Sequence, residues 1–151
     1  MSQGDGLEVR GARSEAGDNP GDSRPGASFE DLVAWQRARV LAAEINALAE
    51  REPIARRWGF RDQIERAAVS VMSNIAEGHD LGSRAEFHRM LTIARGSCAE
   101  VRSLLYVALD AGYIEQPEFA RLHEEARQLS RIIGRLRQVV GEQRDHDRAR
   151  R

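Results

Sequence analysis

Residues 63–78 read QIERAAVSVMSNIAEG. Wound as a helix, this stretch sets Gln63, Arg66, Ser70, Asn74 and Glu77 at steps of three or four, one polar ridge on a segment otherwise made mostly of Ala, Val, Ile and Met. Flanks this apolar imply that much of the helix is buried, and a buried Arg, Asn or Glu needs a partner. Arg95-Gly96-Ser97 and Glu100, further along, can supply one. The expectation is a structural polar network of Arg66, Ser70, Asn74, Glu77, Arg95, Ser97 and Glu100. In it Arg66 or Arg95 bridges Glu77 or Glu100, and Asn74 bonds backbone. A fully satisfied network of this kind fixes helix register.

Three more helical segments surround this one. Ser28 precedes the first as an N-cap, with Glu30 and Asp31 in its opening turn, and Ala34, Ala38, Leu41, Ile45 and Leu48 carry its apolar stripe to about Arg51, before Pro53. The ridge helix is expected from about Gly59 to Ala76, stopping near Gly78. Ser83 and Glu86 form a capping box for the third, which runs to Gly112 with Gly96 inside it as a mark of close approach to the second. The fourth begins at Pro117, and Phe119, Leu122, Ala126, Leu129, Ile133, Leu136 and Val140 keep a heptad-like seam. No stretch shows the alternation of a strand. Short connections between long helices predict an all-α, antiparallel up-down four-helix bundle over residues 28–141. Residues 1–27, rich in Gly, Asp, Ser, Arg and Pro, read as a disordered tail, and residues 142–151 as a frayed, charged one.

Composition narrows the chemistry. All 23 basic residues are Arg, and the net charge is −1. The predicted bundle carries 16 Arg against 16 acids, so there is no general basic excess of the kind a dedicated nucleic-acid binder shows. Two Arg groups could still converge on a face and touch nucleic acid: Arg56, Arg57 and Arg61, or Arg127, Arg131 and Arg135. The single cysteine, Cys98, falls on an apolar helical stripe and reads as a small core residue. No secretory leader or membrane span is evident, so a cytoplasmic location is expected. The four His residues lack the Glu-x-x-His spacing of a di-iron bundle, His123-Glu124 lacks a second His, and no phosphate-cradling Gly loop occurs. No metal, cofactor or catalytic residue is expected; Glu77 with Glu100 is kept as a small-ligand alternative. Trp35 and Trp58, with apolar positions on more than one helix face, point to a homo-oligomer.

Several blocks together carry a resemblance: Phe29-x-x-Leu32-x-x-Trp35-Gln36-x-Ala38, then residues 63–78, then Glu86-Phe87-x-x-x-Leu91-x-Ile93-Ala94-Arg95-Gly96-Ser97-x-x-Glu100, and Gly112-Tyr113-Ile114. The chain resembles the bacterial four-helix bundle proteins encoded in intervening sequences of large-subunit ribosomal RNA genes. The accessory proteins of diversity-generating retroelements are distant relatives. The resemblance implies an antiparallel bundle assembled into a pentameric ring, without enzymatic activity. In the distant relatives it implies a basic surface for nucleic acid and a reverse-transcriptase partner. A non-enzymatic scaffold is therefore the function expected, with a nucleic-acid-binding accessory role as the alternative.

Overall fold

The structure is a computed structural model that describes residues 28–151; the tail expected at 1–27 lies outside the described residues. The fold is all-α. Four helices follow one another, α1 Val33–Ala49, α2 Trp58–Asp80, α3 Arg84–Asp110 and α4 Gln116–Ala149, and the described residues contain no strand. Ser28 accepts from the Glu30 amide and caps a single 3-10 turn, Phe29–Asp31, that leads into α1. The Ser83 hydroxyl accepts from the Glu86 amide at 3.0 Å, as the capping signal at α3 anticipates. Pro117 occupies the first turn of α4, where its missing N–H costs nothing.

Each helix packs on two others. α1 touches α2 and α4, and α3 touches α2 and α4, so the four stand in a square whose α2–α3 and α4–α1 sides lie opposite each other. Leu41 and Ile45, Ile64 and Val71, Leu91 and Leu105, and Leu122 and Ile133 fill the middle with almost no exposure. Burying one such side chain contributes about 1.5–3 kcal/mol, which is why the heptad-like seam of α4 is decisive. Cys98 belongs to this interior. Its thiol donates to the Ala126 carbonyl at 3.1 Å, and burial pushes its pKa up to about 11, so it is an inert packing residue.

Two glycines exchange the roles that the sequence suggests. α2 does not stop near Gly78 but continues to Asp80, and the left-handed residue of the turn is Gly82, with φ 80°. Gly78 is instead buried where α2 meets α3: a methyl group there would sit 2.7 Å from Met90 Cβ and 3.0 Å from a Phe87 ring carbon. Gly96 has nothing within 4 Å of such a methyl group and faces outward. The C-terminal run also differs from the frayed tail expected. α4 continues through residues 142–149 because Arg84, in the first turn of α3, reaches both the Gln143 carbonyl and the Asp147 carboxylate. Gly141, just before that run, is buried against the His88 ring.

Candidate functional site

The polar ridge of α2 lies along the outer edge of its seam with α3. Ser70 Oγ and Ser97 Oγ are 2.9 Å apart, joining the two helices. Asn74 Nδ2 donates to the Ser70 carbonyl at 2.7 Å and to Ser70 Oγ at 2.9 Å. Ser97 is buried, and Ser70 and Asn74 are half-buried. This trio is the part of the expected network that the structure brings together.

The charged members lie elsewhere. Arg66 is exposed and pairs with Asp62 one turn back, at 2.9 Å, rather than with Glu77. Glu77 and Glu100 are exposed, and neither carboxylate has a partner among the described residues. Arg95 lies on the other flank of α3, its guanidinium against Gly134 of α4. The reason is helical geometry: residues two apart, such as Arg95 and Ser97, do not face the same neighbour. A bridge from Arg95 or Arg66 to Glu77 or Glu100 is therefore not made. The ridge is a surface with a hydrogen-bonded floor, not a sealed interior. An open cleft lies at another end of the molecule, where Arg51 bonds both carboxylate oxygens of Glu118 beside Tyr113.

Apolar side chains without cover flank the ridge. On α3, Ile93 and Val107 are 41% and 47% exposed, with Glu100 between them at seven-residue spacing. Val69 on α2 is exposed as well. The opposite α4–α1 side shows a second such stripe. Val33 and Val40 of α1 are 58% and 52% exposed, and Ala47 continues their seven-residue spacing; Val139 of α4 is also exposed. On this side α1 and α4 are tied by long side chains. Arg37 donates to Gln128 at 2.8 Å, and Arg121 meets Glu44 at 3.1 Å and Glu125 at 3.4 Å. Burial, and then the Glu44 carboxyl alongside, raise the Glu125 pKa to about 7.

The family profile of the 23S rRNA-intervening sequence proteins matches residues 30–135, which takes in most of α4 and all of the three helices before it. The chain belongs to that family. A solved structure from Bacteroides thetaiotaomicron VPI-5482, a protein of unknown function from the S23 ribosomal protein family, has the same fold. It is 21% identical, covers 67% of this chain and 94% of its own, and superposes with a TM-score of 0.62. Curated proteins give no match.

In this member of the intervening-sequence family the two Arg groups suggested by sequence have different surroundings. Arg56 is bonded to Glu52 at 2.7 Å, Arg61 to Glu65 at 3.1 Å, and Arg57 lies over the Tyr113 ring. Arg127 is bonded to Glu124 at 2.9 Å, but Arg131 and Arg135 are exposed and have no partner among the described residues. Arg135 continues the seven-residue series of Arg121 and Gln128, which face α1, whereas Arg102 and Arg137, which sequence reasoning passed over, lie at the α3–α4 seam. Arg137 crosses to the Thr92 hydroxyl at 2.7 Å, and Arg102 has a buried Nε without an acceptor. The seven-residue spacing of Arg95 and Arg102 was the available signal. Trp35 packs edge-on against Phe29, whereas Trp58, at the start of α2, is 75% exposed.

Proposed function

We propose that this intervening-sequence family protein is a non-enzymatic assembly module, an up-down four-helix bundle that closes into a ring of identical chains. The order of side-chain contacts supports the up-down arrangement: Arg37, Glu44 and Arg51 of α1 meet Gln128, Arg121 and Glu118 of α4 in descending order. One observation carries the ring. Uncovered apolar stripes occur on two opposite sides of one chain, Ile93 and Val107 on α2–α3, Val33 and Val40 on α4–α1. A two-fold dimer needs a single self-complementary patch, whereas a ring joins two different patches head to tail. In this reading the Ser70–Ser97–Asn74 trio holds the α2–α3 side in shape, and Glu77 and Glu100 accept hydrogen bonds from the neighbouring chain. A small-ligand role for those two carboxylates has less support, because they stand on an open ridge and not in a concave site. A cytoplasmic setting fits a family named for a ribosomal RNA gene sequence.

The test uses one lesion per side. Ile93→Asp and Val40→Asp should each reduce the assembly to smaller species in size-exclusion chromatography, because each destroys one half of the same contact. Mixing the two variants should restore single contacts between chains, seen as a dimer. If only one of the two substitutions has any effect, the head-to-tail contact is wrong.

A further inference from the structure

Resting on the ring of identical chains proposed above, we infer that Glu77 and Glu100 of one chain pair with Arg135 and Arg131 of the next. This ladder of ion pairs sets which sides meet and in what register.

Charges are sorted by side. Most of those on the two sides assigned to the ring are bonded within the chain. On the α2–α3 side Arg66 holds Asp62 and Arg89 holds Glu86, each at 2.9 Å. On the α4–α1 side Arg51 holds Glu118, Arg121 holds Glu44 and Glu125, and Arg37 donates to Gln128. Two exposed carboxylates remain on the first side, Glu77 and Glu100, and two exposed guanidinium groups on the second, Arg131 and Arg135. None of the four makes a hydrogen bond or ion pair among the described residues. Arg135 keeps seven-residue register with Arg121 and Gln128, which face α1, and Arg131 lies one turn from both Gln128 and Arg135. Glu124, whose carboxyl feels Arg131, is already bonded to Arg127 and Gln128.

Contacts across the seams give the level of each group along the bundle. Thr92 meets Arg137 and Cys98 meets Ala126, which puts Glu100 about one turn from the level of Arg131. Gly78 lies against Met90 and His88 against Gly141, which puts Glu77 about one turn from the level of Arg135. Arg37 meets Gln128, so the exposed Val33 stands about one turn from the level of the exposed Ile93. A ring whose axis runs along the bundles joins groups of equal level, because rotation adds no shift along its axis. The remaining offset, about 5 Å per turn, is within reach of an arginine side chain. Carboxylate then meets guanidinium at two levels, with apolar side chains between them that shield the pairs from salt. The same charges reject the wrong contact. Two α2–α3 sides face to face would set Glu77 and Glu100 against their own copies, and two α4–α1 sides would do the same with Arg131 and Arg135. A two-fold dimer is thereby disfavoured and the head-to-tail contact selected.

The experiment is a charge swap followed by light scattering over a dilution series of the full-length chain. Glu77→Arg with Glu100→Arg, and separately Arg131→Glu with Arg135→Glu, place like charges on both sides of the contact. Each pair should raise the concentration of half-dissociation at least about tenfold. The chain carrying all four substitutions has opposite charges again and should return to within about threefold of wild type. All four side chains are exposed, so helical circular dichroism should be unchanged throughout. Loss in both pairs with recovery in the fourfold variant supports the ladder. Assembly that Ile93→Asp breaks but neither charge pair weakens, or loss in both pairs without recovery, overturns the ladder and leaves the ring standing. A wild-type chain that stays single at every concentration overturns both.

Discussion

Helix α3 meets its two neighbours by different means. Against α2 it comes close enough that Gly78 has no room for a methyl group, and the rim is pinned by the Ser70, Asn74 and Ser97 hydrogen bonds. Against α4, where Gly141 is also buried against His88, the rim is filled by long side chains, the Arg95 guanidinium lying on Gly134 and Arg137 reaching Thr92. The α4–α1 seam resembles the second kind, closed by Arg37, Arg121, Glu44 and Glu125. Small residues therefore fix the geometry on one side of the molecule, and long charged ones leave a polar display on the other.

The largest way to break this contrast is Gly78→Ala. Its methyl group meets Met90 Cβ, which belongs to the rigid start of a side chain, so chemical denaturation should show a loss of about 1–3 kcal/mol. Ser97→Ala should cost about 1 kcal/mol in the same measurement, since it removes the cross-helix hydrogen bond at a buried position. The matching change in the α3–α4 seam should have the opposite sign. At Gly134 a methyl group finds only the Arg95 guanidinium at 3.5 Å, an ordinary contact with a flexible group, so Gly134→Ala should gain up to about 1 kcal/mol of helix propensity. A loss as large as that at Gly78 would show that the two seams are equally tight.

The charged α4–α1 seam should add a pH dependence that the α2–α3 seam lacks. The folded Glu125 carboxyl titrates at about 7, above its ordinary 4.5, so the folded chain retains a proton that the unfolded chain releases. Its contribution is complete below about 4.5 and is lost as pH rises through about 7. Glu125→Gln should accordingly reduce the fall in melting temperature between these values, and an unaltered profile would contradict the pairing with Glu44. The smallest effect is expected at Glu77→Leu. With that carboxylate exposed and unpartnered, stability within one chain should change by less than about 0.5 kcal/mol.

Much of this was legible in the sequence for definite reasons. The apolar spacing in each helix fixes the core face, and Leu41, Ile64, Leu91 and Ile133 are all inside. The pairs Asp62 with Arg66 and Arg61 with Glu65 were missed, although their four-residue spacing was a signal that Arg66 would bond within its own helix instead of reaching Glu77. The trio Ser70, Asn74 and Ser97 emerged because short side chains at a seam have few other places to bond. What failed was the step from polar ridge to buried ridge. Periodicity orders the side chains around a helix, but it does not say how far a neighbour wraps over them, and Glu77 and Glu100 fall just beyond the cover that α2 and α3 give each other. The same limit exchanged Gly78 for Gly96, because an interior glycine signals a close approach only if it points at the other helix. The helical continuation past Gly141 depends on Arg84, a residue 59 positions from Gln143, and local composition holds no trace of such a contact.

The mass of the wild-type chain in solution addresses the assembly most directly. Light scattering at micromolar concentration should give a closed multiple of the 16.9 kDa chain, five-fold if the ring matches the resemblance, and the multiple should not change with dilution over that range. A mass of one chain, with Ile93, Val107, Val33 and Val40 left in water, would contradict the account.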